Sequence, residues 1–315
     1  MQETYSDDQL ILAARLYFME GLPQAQIGKL AGVSQSKVSR MLALARQRGL
    51  VRVTVPEYEP RNLALEHRIL ERLGIESLVI RAASGSKTSD LRQVMGYFAA
   101  PIITGWIRPA SKVAVSGGRT MQSLIESMKP SGRFQGVTVL QAMGNIDSSP
   151  GPYDAVELGR QLAKISSGTF LTLNTPAILP DPETCKRLLA LDQIQAVMES
   201  LAKADVAFVG IGTLENSVFV ERKALGLREI ESLREAGAVG EILGRFFDAS
   251  GRECTSPLRD RVVSLGLEEL RSIPNVVAVV SGTDRSEAIL AAIRGGLVKM
   301  LVIDEGGASA VLENS

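Results

Sequence analysis

Apolar positions near the start of the chain recur three and four apart, the spacing of one helical face. Leu10, Ala13, Ala14 and Tyr17 form the first such stripe. Ser6 stands where it can cap that helix, and Asp7 and Asp8 fall in its first turn, where the helix dipole favours anions. Gly21 ends this helix and Pro23 opens a second, with Ile27, Leu30 and Ala31 on its inner side. Ala31-Gly32-Val33-Ser34 then reads as a tight turn. Gly32 tolerates positive φ, Val33 plugs the angle between helices, and Ser34 caps a third helix with Val38, Met41, Leu42 and Ala45 facing inward. Gly49 stops that helix, and residues 50–55 read as an extended wing or strand. Pro56 and Pro60 punctuate a linker before a further helix, from Arg61 to Leu73, closed by Gly74. Leu65, Ile69 and Leu73 form one stripe on it, read as a face for pairing subunits.

From Leu78 onward the texture changes. Short β-branched runs at 78–80, 113–115, 137–140, 170–173, 206–209, 276–280 and 297–303 alternate with helical stretches. Such alternation predicts βαβ units and a parallel sheet covered on both faces. The expected fold class is therefore α/β: an N-terminal helix-turn-helix, winged-helix-like, followed by a parallel-sheet domain. The expected boundaries are 1–56 for the helix-turn-helix, 57–74 for the linker helix and 75–315 for the sheet domain.

Composition narrows the chemistry. A chain of 315 residues with 45% hydrophobic content exceeds one ordinary core. Acids and polar residues precede Leu10, so no signal peptide is read there, and the longest apolar runs are strand-length, so no membrane partner is expected. Cys185 and Cys254 lack metal-ligand spacing and fit a reducing cytoplasm as free thiols. The single histidine, His67, lies on the linker helix as a surface or interface residue. No catalytic group, metal site or cofactor is assigned.

Net charge is zero, but charge is segregated. Between Gly21 and Pro56 stand Lys29, Lys37, Arg40, Arg46, Arg48 and Arg52, with no Asp or Glu. A field of that sign attracts phosphate. The third helix leaves Gln35, Ser36, Lys37, Ser39 and Arg40 outside near its N-terminal end. Short polar and basic side chains at the front of a helix are what base edges in a major groove require. Gln26-Ile27-Gly28-Lys29-Leu30-Ala31-Gly32-Val33-Ser34-Gln35-Ser36-Lys37-Val38-Ser39-Arg40-Met41 resembles the bacterial helix-turn-helix consensus, with Gly28 where Ala is usual. Arg46, Arg48 and Arg52 are placed for phosphate rather than for bases. Double-stranded operator DNA is the expected partner.

Ligands on parallel sheets bind beyond the carboxyl ends of the strands. Three of those ends carry glycine. Ser116-Gly117-Gly118-Arg119-Thr120 leads into a helix and offers backbone N–H groups, a hydroxyl and a guanidinium; it is either a phosphate cradle or a plain turn. Gly210-Ile211-Gly212-Thr213 starts like a dinucleotide fingerprint, but the third glycine would fall at Glu215, so NAD sensing is disfavoured. Ser281-Gly282-Thr283-Asp284-Arg285 opens another helix. A cation there opposes the dipole unless Arg285 serves a bound anion; the alternative is an ordinary surface arginine.

These turns, together with the helix-turn-helix and Gly237-Ala238-Val239-Gly240-Glu241-Ile242-Leu243-Gly244-Arg245-Phe246-Phe247-Asp248, resemble the SorC family of sugar-responsive regulators over nearly the whole chain. The resemblance implies a Rossmann-like effector domain related to sugar-phosphate isomerases, binding a sugar, sugar alcohol or sugar phosphate. It further implies phosphate at Gly117, Gly118, Arg119 and Thr120 and sugar hydroxyls at Asp248; Thr283, Asp284 and Arg285 are expected at the effector from the turn itself, with Arg285 serving its anion. Arg285 stands where family members often carry Lys, and Arg119 where Thr is common. A dimeric or tetrameric repressor of a carbohydrate or polyol operon is the expected function. The alternative is a sugar-phosphate isomerase with an added DNA-binding segment, using a carboxylate such as Asp248, Asp260 or Asp284 as base.

Overall fold

The computed structural model describes residues 5–81, 88–132 and 134–315. The chain divides into two compact units, one ending at Tyr58 and the other beginning at Glu59.

The first unit holds α1 (Asp7–Phe18), α2 (Gln24–Ala31) and α3 (Gln35–Gln47). Ser6 and Gln9 cap α1 reciprocally, each side chain accepting from the other's backbone N–H. Gly32 ends α2 at φ 64°, and the Ser34 hydroxyl accepts from the Lys37 N–H at 3.3 Å to start α3. Leu10, Ala13, Ala14, Ile27, Val38, Met41, Leu42 and Ala45 form one core. The inner face of α2 differs from the expected one: Leu30 and Ala31 are exposed, and Gly28 is buried beside Ile27. A Cβ at Gly28 would stand 2.7 Å from the Val33 carbonyl oxygen, so the turn packs on α2 through the bare glycine backbone. Gly28 is thus a packing requirement as well as a small loss of helix propensity. No strand forms over residues 50–55, where a wing was expected; the chain is exposed from Arg52 to Glu59.

The second unit opens with α4 (Leu63–Leu73) and β1 (Glu76–Ile80), followed by α5 (Thr88–Trp106), β2 (Lys112–Val115) and α6 (Arg119–Ser127). Next come β3 (Thr138–Gln141), α7 (Ala155–Ile165), β4 (Thr169–Leu171), α8 (Pro182–Leu189), α9 (Asp192–Leu201) and β5 (Val206–Val209). The chain continues through α10 (Val218–Glu221), α11 (Leu227–Glu235), β6 (Gly240–Ile242), β7 (Arg245–Phe247) and α12 (Leu267–Ser272). It finishes with β8 (Asn275–Val279), α13 (Ser286–Arg294), β9 (Met300–Asp304) and α14 (Glu305–Glu313). All seven runs expected as strands pair in one parallel sheet, ordered β1-β9-β8-β5-β2-β3-β4.

Side chains alternate between two cores, as the pleat requires. Val113, Val115, Phe208, Val277 and Val279 join the core containing Met95, Met121 and Leu158; Ala114, Ala207, Val209 and Ala278 join the other. Strands buried on both faces read as continuous β-branched runs for this reason.

The stripe on α4 has a different role from the one expected. Leu65 and Ile69 are buried in the second core with Val79, Ala308 and Val311, and Leu73 packs against it. Ile69 is fully covered by its own domain, so it does not pair subunits. An amphipathic stripe predicts that a face is covered but not by what, and here β1 and α14 lie beneath it.

Chain order reverses between β2 and β5: β3 and β4 add outward from β2 on one side, and β5, β8 and β9 on the other. That reversal is a topological switch point, which leaves a crevice beyond the carboxyl ends of the two strands.

Candidate functional site

In the first unit, Gln35, Ser36, Ser39 and Arg40 are exposed on the N-terminal half of α3, and Lys37 is half-buried. Arg40 Nε donates to the Ser36 carbonyl at 3.4 Å, and the Ser34 and Ser36 hydroxyls lie 3.0 Å apart. Arg46 and Arg48 are engaged within the unit. The Arg46 guanidinium sits 5.3 Å from the centroid of the Phe18 ring, while Arg48 donates to Asp7 at 2.7 Å and to the Tyr5 carbonyl at 3.2 Å. Arg48 therefore braces the end of α3 against the start of α1.

In the second unit a cavity of about 150 Å³ opens at the switch point. It is lined from the ends of β2, β5 and β8, the three glycine-bearing turns. Two hydrogen bonds tie these turns together: the Gly210 N–H donates to the Ser116 hydroxyl at 3.1 Å, and the Thr120 and Ser281 hydroxyls meet at 3.0 Å. The two glycines after Ser116 are there for separate reasons. A Cβ at Gly117 would stand 3.0 Å from the Tyr153 carbonyl oxygen, and Gly118 caps α6 at φ 138°, a conformation open to glycine. No side chain caps α6. Its first-turn N–H groups and the positive end of its dipole stand at the cavity wall, where Arg119, Thr120 and Met121 are lining residues.

Three arginines also line the cavity: Arg92, Arg119 and Arg285. Arg285 donates to the Ser281 carbonyl at 2.9 Å and to Asp284 at 2.7 Å. Arg119 makes a two-pronged ion pair with Glu221, which raises its pKa and holds Glu221 below the ordinary carboxylate value. Its charge is thus answered by Glu221, which the turn motif alone did not show. Its guanidinium also lies 4.8 Å from the Tyr153 ring, with Arg222 4.9 Å from the same ring. Arg222 is itself clamped by Asp154 at 2.6 Å, which raises its pKa, and by Asp147 at 2.9 Å. Arg92 differs from both. Among the described residues no carboxylate pairs with it, and burial together with the charges of Arg119 and Arg285 lowers its pKa.

More of the lining comes from two further segments. Asn145 and Tyr153 come from the segment after β3, and Glu241 and Leu243 from the β6–β7 hairpin. Glu241 accepts from the Gly244 N–H at 2.6 Å, and burial pushes its carboxyl pKa up. Leu243 and Gly244 turn the hairpin at φ 57° and 76°. A leucine in the left-handed region stores roughly 1–3 kcal/mol of strain, a feature that concentrates at ligand sites.

Three residues expected at the ligand lie outside the lining. Asp248 follows β7 and closes its own turn, accepting from the Ser250 N–H and hydroxyl and from the Arg252 N–H; these bonds hold its pKa below the ordinary carboxylate value. Asp248 is thus engaged in its own turn. Thr283 is exposed, and Asp284 reaches the rim only indirectly, accepting from Asn216 at 2.8 Å. Arg92, Asn145, Tyr153 and Glu241 were not singled out from sequence. Glu241 sat inside the 237–248 block that carried the resemblance, while Arg92 lies on α5, whose helical stretch carried no motif.

A helix-turn-helix unit on one chain with a doubly wound domain and a cation-lined crevice has the make-up of a ligand-responsive transcription regulator. The family model described as "Putative sugar-binding domain" matches residues 60–313. The transcriptional regulator LsrR of Enterobacter sp. is 31% identical over 98% of this chain and 94% of its own length. The deoxyribonucleoside regulator of Bacillus subtilis is 27% identical over 96% and 97%. The crystal structure of the full-length sorbitol operon regulator SorC from Klebsiella pneumoniae shares the fold, with a TM-score of 0.77 at 22% identity over 98% of this chain and all of that one. The chain belongs to the SorC family of sugar-responsive transcriptional regulators.

Proposed function

We propose that this regulator controls a carbohydrate or polyol operon and senses an anionic sugar derivative, a sugar phosphate, in the switch-point cavity. The observation that carries the reading is Arg92: a half-buried guanidinium in the cavity wall, near two like charges and with no carboxylate among the described residues to pair with it. A phosphate at the start of α6 would meet Arg92 and Arg285, the Thr120 and Ser281 hydroxyls, and the free N–H groups of the first helical turn. The relatives agree in kind, being named for a deoxyribonucleoside and a sorbitol operon.

Sensing is favoured over isomerisation. Asp154 is engaged by Arg222, Asp248 closes its own turn outside the cavity lining, and His67 stands beside Glu71 on α4. The exposed front of α3 is the surface offered to base edges, and a two-fold operator would be read by two copies, making the working species a dimer or tetramer.

The test uses the full chain and a duplex that it has selected from a random library. Addition of D-ribose 5-phosphate, D-fructose 6-phosphate or sorbitol 6-phosphate is expected to shift the midpoint of DNA binding about tenfold for at least one, within the usual range of coupling between two sites. If all three leave the midpoint unmoved while an unphosphorylated sugar shifts it, the sugar-phosphate reading is wrong.

A further inference from the structure

We propose that Gln141 is a positioning residue that fixes the Asn145 amide with Nδ2 turned into the cavity, so that this end of the site donates to an oxygen acceptor on the sugar. The inference rests on the sugar-phosphate reading above and adds to it the polarity of the end away from the cations.

Gln141 is the last residue of β3 and fully buried. Its Oε1 accepts from the Leu173 backbone N–H at 3.1 Å and from the Thr172 hydroxyl at 2.5 Å. A backbone N–H can only donate, so the oxygen end of the Gln141 amide must face Leu173, which removes the usual uncertainty between amide oxygen and nitrogen. Its Nε2 then points the other way, toward Asn145, and donates to Oδ1 at 2.9 Å. With Oδ1 so engaged, the Asn145 amide has its nitrogen to offer, and among the described residues nothing accepts from it.

The backbone keeps Asn145 in place. Its N–H donates to the Thr175 carbonyl and its own carbonyl accepts from the Ala177 N–H, both at 2.7 Å. The neighbouring Gly144 lies so close to this segment that a Cβ would stand 2.4 Å from the Pro176 carbonyl oxygen. Strand order adds the direction. Arg285 follows β8 and Asn145 follows β3, on opposite flanks of β5 and β2, so the donor amide stands across the cavity from Arg285. A ligand with its phosphate at the cations would present a carbonyl, ring or hydroxyl oxygen to Asn145. Inorganic phosphate carries no such sugar oxygen.

Two measurements test this. A neutron structure of the perdeuterated, ligand-free protein is expected to show deuterons on Gln141 Nε2 directed at Asn145 Oδ1, and the Asn145 deuterons directed into the cavity. The reverse orientation of Asn145 overturns the proposal whether or not any sugar phosphate binds. The second measurement is calorimetry with D-ribose 5-phosphate, D-fructose 6-phosphate, sorbitol 6-phosphate and inorganic phosphate. Gln141→Met should weaken whichever sugar phosphates bind roughly three- to tenfold, the size of one neutral hydrogen bond. It should leave inorganic phosphate unchanged and cause no further loss in an Asn145→Ala background. An equal loss in both backgrounds, or for inorganic phosphate as well, means that Gln141 supports the fold generally and overturns the proposal. Failure of all three sugar phosphates to bind wild-type protein counts against the sugar-phosphate reading, while the neutron result still decides the amide.

Discussion

Replacing Arg40 by Ala in the full chain is expected to weaken binding to a duplex the protein has selected by about ten- to a hundredfold and to relax base preference at one position. Arg40 is exposed on the front half of α3, where a recognition helix reaches base edges, and a bidentate hydrogen-bonded pair with a base discriminates by roughly 1–3 kcal/mol. Arg46→Ala should act differently, weakening selected and random duplexes alike. Removing one phosphate-neutralising cation should reduce the slope of log affinity against log salt by about one. Arg48 needs separate handling. Its hydrogen bonds to Asp7 and the Tyr5 carbonyl tie α3 to α1, so Arg48→Ala should also lower the melting temperature of this unit. Fluorescence anisotropy across a salt series with both duplexes separates the cases. Arg40→Ala behaving like Arg46→Ala would show that α3 contributes charge but no base reading.

The second large effect belongs to the cavity. Arg92→Ala is expected to weaken sugar-phosphate binding by ten- to a hundredfold, since a charge-assisted hydrogen bond contributes roughly 1.5–3 kcal/mol and each 1.4 kcal/mol is about tenfold. Arg285→Ala should fall at the lower end of that range, because Asp284 and the Ser281 carbonyl already engage its guanidinium. Arg119→Ala should cost least in affinity, its charge being answered by Glu221. The order Arg92, Arg285, Arg119 distinguishes this geometry from a reading of the turn motif alone, in which Arg119 would lead. Calorimetry on the three variants, with thermal melts to show that each is folded, gives the order directly.

These two predictions differ in how far they were visible in sequence. The inner positions of α1 and α3, the caps at Ser6 and Ser34, and the left-handed Gly32 follow from spacing and residue type, and the structure has them as read. The seven sheet strands were also legible, because strands buried on both faces leave continuous apolar runs. Strand order was not. Nothing local says that β5 returns beside β2, yet that return brings Gly117, Gly210 and Ser281 to one crevice. Partners that meet only through the fold were likewise hidden. Glu221 neutralises Arg119 across a sequence separation of 102 residues, and Arg92 becomes notable only once its neighbours are known to be Arg119 and Arg285. The stripe of Leu65 and Ile69 on α4 shows the same limit, since periodicity marks a covered face without naming its cover. Asp248 shows another: a carboxylate two residues before Ser250 is free to close its own turn, and here it does.

The most direct test of sugar-phosphate sensing is calorimetry of the wild-type chain with a sugar phosphate and its unphosphorylated parent side by side: D-fructose 6-phosphate with D-fructose, D-ribose 5-phosphate with D-ribose, and sorbitol 6-phosphate with sorbitol. In at least one pair the phosphorylated member is expected to bind a hundredfold or more tightly, as two or more charge-assisted hydrogen bonds in the cavity require. Binding of a parent sugar at an affinity equal to that of its phosphate would contradict a cavity built for an anion.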